Sequence, residues 1–439
     1  QLALSDAWGV AGVQDGSGKT PTVESLGVLP NNKEVLLAKF QIPGGLDLDK
    51  PQYNIGKFLT EANYPYGRII QAYGTDFSMV LAKRSPFPTS VMADWNAAKK
   101  CDRRKFPIGV DDLGNPVYWD TKTTPHLLIT GKSGSGKSSA SQIVIAEALL
   151  KGEDIILIDP SKGCIDFTQW AKPKALAFVG LYQLRETEAV ISWAREEMAE
   201  RVRINNKYGV GNIFELNPDD VEEADRSHLK PLNILFDEFN SYLQETGKTT
   251  QNPQKDMQIA NDNAAVSATN ASIARTMSAL SKIIVQGRTA GIRFIFGAQR
   301  LTMDDMKKYN GNAFFRSLGR VLLGMDSPAG VVSAQNLSEA NRTQKSLKNE
   351  DGLIPVGRGI YESMQGTLMA VQTWYSGGQD ELAELVADIP NPEPIDYQQY
   401  MPRAAEQFTK LDVEDIKEIF TSNNGSENVE EEDVEEEEW

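Results

Sequence analysis

Gly131-Lys-Ser-Gly-Ser-Gly-Lys-Ser138 stands between an apolar run, Leu127 to Thr130, and a stretch of helical composition from Ser139 to Leu150. The spacing is that of a phosphate-binding loop, and a strand before it with a helix after it is the context such a loop requires. Glycines let the backbone curl until successive N–H groups point at one anion, and the following helix brings its positive end to the same place. On this reading Gly131, Lys132, Ser133, Gly134, Ser135, Gly136, Lys137, Ser138 and Ser139 cradle ATP. Lys137 is expected to reach the β and γ phosphates, and the Ser138 hydroxyl to bind Mg2+.

Working outward, further apolar runs occur at Ile155 to Ile158, Leu232 to Phe236 and Ile292 to Phe296, separated by longer amphipathic segments. That alternation predicts a mainly parallel sheet with helices on both faces. The run at 232–236 delivers Asp237 and Glu238 at its end. Asp237 is expected to hold Mg2+ through water and Glu238 to polarise the attacking water. A strand capped by two solvated acids is common, and the phosphate loop upstream is what gives this pair its meaning. The run at 292–296 leads into Gln299 and Arg300. Gln299 is placed to sense the γ phosphate or orient water, as a glutamine does in other nucleoside triphosphatases. Charge on a transferred phosphoryl group is commonly offset by an arginine, often a neighbouring subunit's. Arg288, Arg300, Arg316, Arg320 and Arg358 are the candidates, and each could equally be an ordinary surface arginine.

Residues 1–32, rich in Gly, Ser, Thr and Pro, read as a leader or linker. Residues 33–105 read as a small α/β domain and a connector. Strand composition runs from Glu34 to Ile42 and twice more between Tyr66 and Lys83, around Gly74, before the basic run Lys99 to Lys105. The motor is expected over 106–400, opening with a hairpin at 111–119 and containing a helix from about Arg185 to Arg203. The polar segment Gln244 to Thr276 is too long for a simple connection and is expected to be a mobile or functional insertion. Residues 401–439 should hold a short helix, Leu411 to Phe420, and a disordered acidic tail. The fold class is thus α/β: a P-loop nucleotide-binding motor with a mainly parallel sheet flanked by helices, plus a small N-terminal α/β domain.

The chain has 439 residues and is 40% hydrophobic, enough for full cores. Its formal charge of −16 argues against a broad nucleic-acid-binding surface. Nine acids between Glu427 and Glu438 carry more than half of that charge. Any DNA contact therefore has to come from a local basic surface such as a ring lumen, with Lys99 to Lys105, Lys248, Lys255 and Arg275 as candidates. The acidic tail could equally dock a basic protein partner or simply aid solubility. Cys101 and Cys164 have no metal-ligand spacing, which fits a reducing, cytoplasmic compartment. No apolar run reaches 18 residues, so membrane attachment, at the inner face, is expected only through a segment outside this sequence.

Several blocks together resemble the FtsK/SpoIIIE family of the wider FtsK/HerA group of RecA-like ATPases. They are Phe106-Pro-Ile-Gly109, Pro125 to Ser138, Ile158-Asp-Pro-Ser-Lys-Gly163, Glu196 to Arg201, Phe236-Asp-Glu238, Arg288 to Ile292 and Ala298-Gln-Arg300. The resemblance covers roughly residues 106–375. It implies a homohexameric ring, ATP at subunit interfaces, an arginine acting in trans and double-stranded DNA in the lumen. Arg320 matches the arginine that the family places before its next strand, with Arg300 and Arg316 as the next choices. Three departures matter: Gly297-Ala-Gln-Arg-Leu301 stands where the family usually writes Ala-Thr-Gln-Arg-Pro, the long insertion after Glu238 has no counterpart in the chromosomal translocases, and no basic winged-helix-like module follows. The resemblance therefore implies a DNA translocase of the conjugative or mobile-element type. A protein-export ATPase of the type VII kind and a viral genome-packaging ATPase are the alternatives.

Overall fold

The computed structural model describes residues 2–30, 32–47, 49–244, 257–324, 331–333 and 336–402. The predicted helix at 411–420, the acidic tail, Lys248 and Lys255 lie outside these.

The N-terminal sheet consists of β1 (Thr22–Leu29), β2 (Asn32–Gln41), β3 (Tyr66–Tyr73) and β4 (Asp76–Ala82), in the order β1-β2-β4-β3. Every neighbouring pair is antiparallel. Helices Leu2–Val10 and Asp49–Glu61 complete the unit. Trp8 is fully buried and stacks on Phe58 with ring centroids 3.9 Å apart, beside Phe40 and Phe77. This corrects the expectation of a leader over residues 1–32. The Gly and Ser content of 12–18 is real turn sequence, but Leu4, Ala7, Trp8 and Ala11 recur at helical spacing and are all buried.

The second sheet has ten strands in the order β6-β5-β14-β13-β12-β7-β11-β10-β8-β9. They are β5 (Lys105–Val110), β6 (Pro116–Asp120), β7 (His126–Gly131), β8 (Asp154–Ile158), β9 (Ala177–Val179), β10 (Leu232–Phe236), β11 (Ile292–Ala298), β12 (Leu318–Leu323), β13 (Arg358–Glu362) and β14 (Leu368–Thr373). From β12 to β9 all neighbours are parallel; from β12 to β6 all are antiparallel. Alternation decides which core each side chain enters. Leu127, Ile129, Ile155 and Leu157 face the helix Lys137–Leu150, whereas Leu128, Ile156, Ile158, Phe294 and Phe296 join the core beneath helices Leu184–Tyr208 and Met257–Gln286. Burial on both faces is why these strands read as continuous apolar runs.

The segment expected as an insertion is corrected in part. Residues 257–276 belong to the 30-residue helix Met257–Gln286. Ile273, Met277, Leu280 and Ile284 bury one stripe of it. Ser272 and Arg275 both hydrogen-bond to Glu188, at 2.6 and 2.5 Å, pinning this helix to Leu184–Tyr208. Asn and Thr lower helix propensity only weakly, so the buried stripe overrides them. Residues 245–256 lie outside the described part.

Candidate active site

Parallel β7, β8, β10 and β11 end at one edge of the sheet, and ligands in open α/β sheets bind beyond such carboxyl ends. There the P-loop, Asp159, Asp237, Glu238 and Gln299 line a cavity of about 330 Å3. Gly134 and Gly136 have φ of 77° and 99°, and a Cβ on Gly136 would lie 2.9 Å from the Gly357 nitrogen. Gly357 N–H in turn donates to the Ser135 carbonyl at 2.8 Å, so the loop before β13 props the P-loop from outside.

Lys137 Nζ lies 2.6 Å from Asp237 Oδ1 and 3.2 Å from Glu238 Oε1. Burial pulls the Lys137 pKa down, but the two carboxylates outweigh it and the net shift is upward. Gly297 on β11 is needed for this geometry, because a Cβ there would sit 2.0 Å from Asp237 Oδ1. Glu238 is buried in the left-handed region at φ 48°. Burial raises its pKa, yet hydrogen bonding from Lys162 and the charge of Lys137 leave it below the usual value.

The pieces expected from sequence therefore converge: Lys137, Ser138, Ser139, Asp237, Glu238 and Gln299 line one cleft with Gly131, Lys132, Ser133, Gly134 and Gly136. Ser135 lies beneath the loop, its Oγ buried. The arginines do not converge. Arg320 lies within β12 rather than before it, is buried, pairs with Glu362 and donates to the Phe315 carbonyl at 2.5 Å. As placed, it cannot be offered to a neighbouring subunit, which corrects the first choice. Arg358 is likewise enclosed, donating to Gln372, Asn349 and Pro88. Arg300 and Arg316 are exposed, just beyond β11 and at the end of helix Gly311–Arg316.

Sequence reasoning gave no role to Lys162. The Asp159 carboxylate accepts from the N–H groups of Ser161, Lys162 and Cys164, at 3.1, 2.8 and 3.0 Å. The turn so formed carries Lys162 across to Glu238, with Nζ 2.6 Å from Oε1. The signal in the sequence was an apolar strand ending in Asp159-Pro-Ser-Lys-Gly163; its parallel pairing with the carboxylate strand is what the structure adds.

An oligophosphate with a hard cation fits these residues. Ser139 Oγ and Glu238 Oε2 are buried without hydrogen-bond partners, beside glycines that leave backbone room for an anion. Among the described residues no cluster of three or more His, Cys, Asp or Glu could hold a metal alone. That suits Mg2+, which takes one or two protein ligands and completes its shell with phosphate and water. Ser138 and Asp237 are the residues that would hold it, and its chemistry there would be to neutralise phosphate charge.

Fold and site define the class: a P-loop ATPase domain, with β11 inserted between the P-loop strand β7 and the carboxylate strand β10. Residues 91–303 match the FtsK/SpoIIIE family model. The DNA translocase SftA of Bacillus subtilis is 30% identical over 136 residues, covering 30% of this chain and 14% of SftA. The DNA translocase FtsK 2 of Neisseria meningitidis is 26% identical over 231 residues, covering 47% of this chain and 20% of its own length. The matches thus span a fifth or less of these two relatives. Among solved structures, the pCW3 conjugation coupling protein TcpA in its monomer form with ATPγS has a TM-score of 0.55 at 17% identity, over 87% of this chain and 99% of TcpA. No helix among the described residues is long and apolar enough to cross a membrane.

Proposed function

We propose that the chain is an ATP-driven double-stranded DNA translocase that works as a homohexameric ring in conjugative or mobile-element transfer, at the cytoplasmic face of the membrane. The observation that carries this reading is the Lys137, Asp237 and Glu238 constellation at the end of adjacent parallel strands. It supplies what phosphoryl transfer needs: a cation for the phosphates, a carboxylate for Mg2+ and a second carboxylate for the attacking water. Glu238 takes up the proton as water attacks the terminal phosphorus, and Lys137 offsets charge on the bridging oxygen. Gln299, exposed at the rim, orients that water, and Arg300 or Arg316 of the next subunit completes the site.

The DNA reading is supported by the relatives' description as DNA translocases. The finer reading is supported by a fold that follows a conjugation coupling protein over most of its length. Steady-state ATP hydrolysis with and without linear duplex DNA tests it. We expect stimulation by duplex DNA that weakens between low and physiological salt, and loss of turnover in Lys137→Ala. Turnover indifferent to DNA would move the assignment to protein export.

A further inference from the structure

Glu238 has two oxygens in contrasting states. Oε1 accepts from two ammonium groups, Lys137 at 3.2 Å and Lys162 at 2.6 Å. Oε2 is buried with no hydrogen-bond partner. The residue also stands in a left-handed backbone conformation, a strain that persists where its surroundings enforce it. A carboxylate at a cavity wall with one oxygen doubly held and the other without a partner is oriented, and Lys162 contributes the shorter of the two contacts.

We propose that Lys162 is a positioning residue for water attack: it clamps Glu238 Oε1 so that Oε2 is the oxygen presented to the attacking water. Two features make the assignment specific. The Asp159 turn, with Gly163 at φ 80° and Cys164 at φ 50°, fixes the Lys162 backbone. The Lys162 side chain is itself 56% exposed, so it serves no packing role. Lys137 cannot do this alone, because its ammonium is shared with Asp237 at 2.6 Å and is expected to turn to phosphate when ATP is bound. In the step, a water O–H bond breaks as the O–P bond forms, the proton passes to Oε2, and ADP leaves with the electrons of the broken P–O bond.

The inference rests on the ATPase reading above, and the experiment separates the two. Steady-state kcat and KM for ATP, with the dissociation constant for ADP, are measured for the parent, Lys162→Gln, Lys162→Arg, Glu238→Gln and the Lys162→Gln/Glu238→Gln double variant. A parent that hydrolyses no ATP sinks the functional reading itself. With an active parent, we expect Lys162→Gln to lower kcat at least about ten-fold while KM and ADP affinity move less than about three-fold. The charge-retaining Lys162→Arg should keep most of the kcat. In the Glu238→Gln background, Lys162→Gln should cost little further, since the two side chains act as a unit. Full additivity, or a raised KM with unchanged kcat, would overturn the role of Lys162 and make it a phosphate ligand instead.

Discussion

At the residue scale, the difference between Arg320 and Lys162 is instructive. Both are basic residues in or near sequence blocks that suggest function, yet one is enclosed within its own chain and the other reaches the cleft. Arg320 donates to Glu362, which also accepts from Asn336 Nδ2 at 2.7 Å and from the Ser333 N–H at 3.2 Å. Removing one partner of a buried pair leaves a charge uncompensated, at a cost of about 3 kcal/mol. Arg320→Ala should therefore lower unfolding stability by about that amount in chemical denaturation of the single subunit. Unchanged stability with lost ATP turnover would restore the arginine to the subunit interface. Motif position could not separate these outcomes: all six residues of β12 are buried, and proximity to a strand in the sequence does not say that the arginine lies inside it. The P-loop and the Asp237–Glu238 pair were legible because their chemistry is local, set by spacing and by the strand that delivers them. The contact between Lys162 and Glu238 spans 76 residues and needed the parallel pairing of β8 with β10 to appear.

At the element scale, β7 carries a second determinant of its placement besides its apolar residues. His126 is fully buried, its Nε2–H donating to the Ile284 carbonyl and its Nδ1 accepting from the Phe294 N–H, both at 3.0 Å. Burial holds its pKa down at about 4. A histidine that is neutral when folded and has an ordinary pKa near 6.5 when unfolded contributes stability that is complete above about pH 6.5 and lost as pH falls toward 4. His228 has the opposite sign: hydrogen bonding to Glu197 raises its pKa, so its contribution is present below the ordinary value and fades as pH rises through the folded one. The two are separable by comparing the parent with His126→Gln. The loss of unfolding free energy from pH 7 to 5 should be about 2 kcal/mol larger in the parent; equal slopes would mean that His126 titrates normally. The apolar β7, β8, β10 and β11 were legible in outline from the sequence because burial on both faces leaves few polar interruptions. β13 and β14 were not, since Arg358, Glu362 and Gln372 interrupt their pattern while making buried hydrogen bonds of their own. The N-terminal helix was missed for a different reason: its three buried positions, Leu4, Ala7 and Trp8, are diluted by the turn-rich sequence that follows.

At the scale of the whole molecule, the small sheet is tied to the large one by polar contacts. Arg68 on β3 forms a two-pronged pair with Asp112 in the β5–β6 turn, at 2.5 and 2.6 Å. Tyr66 Oη donates to the Lys348 carbonyl at 3.0 Å, and the Ser85 N–H donates to Glu350 at 2.7 Å. Arg68→Ala should speed tryptic cleavage at Lys83 and Arg84, between the two sheets, while leaving DNA-independent ATP turnover in place. Cleavage at the parental rate would mean that the remaining contacts hold the joint by themselves. Arg358 completes this joint by donating to the Pro88 carbonyl, and the residue before it, Gly357, is the one whose N–H supports Ser135. The seam between the domains and the floor of the phosphate loop are thus consecutive links of one chain. For a motor of the kind proposed, strain on the N-terminal domain would arrive at the nucleotide as a change of grip, so that resistance met by the cargo and the tempo of fuel use are connected through a single peptide unit.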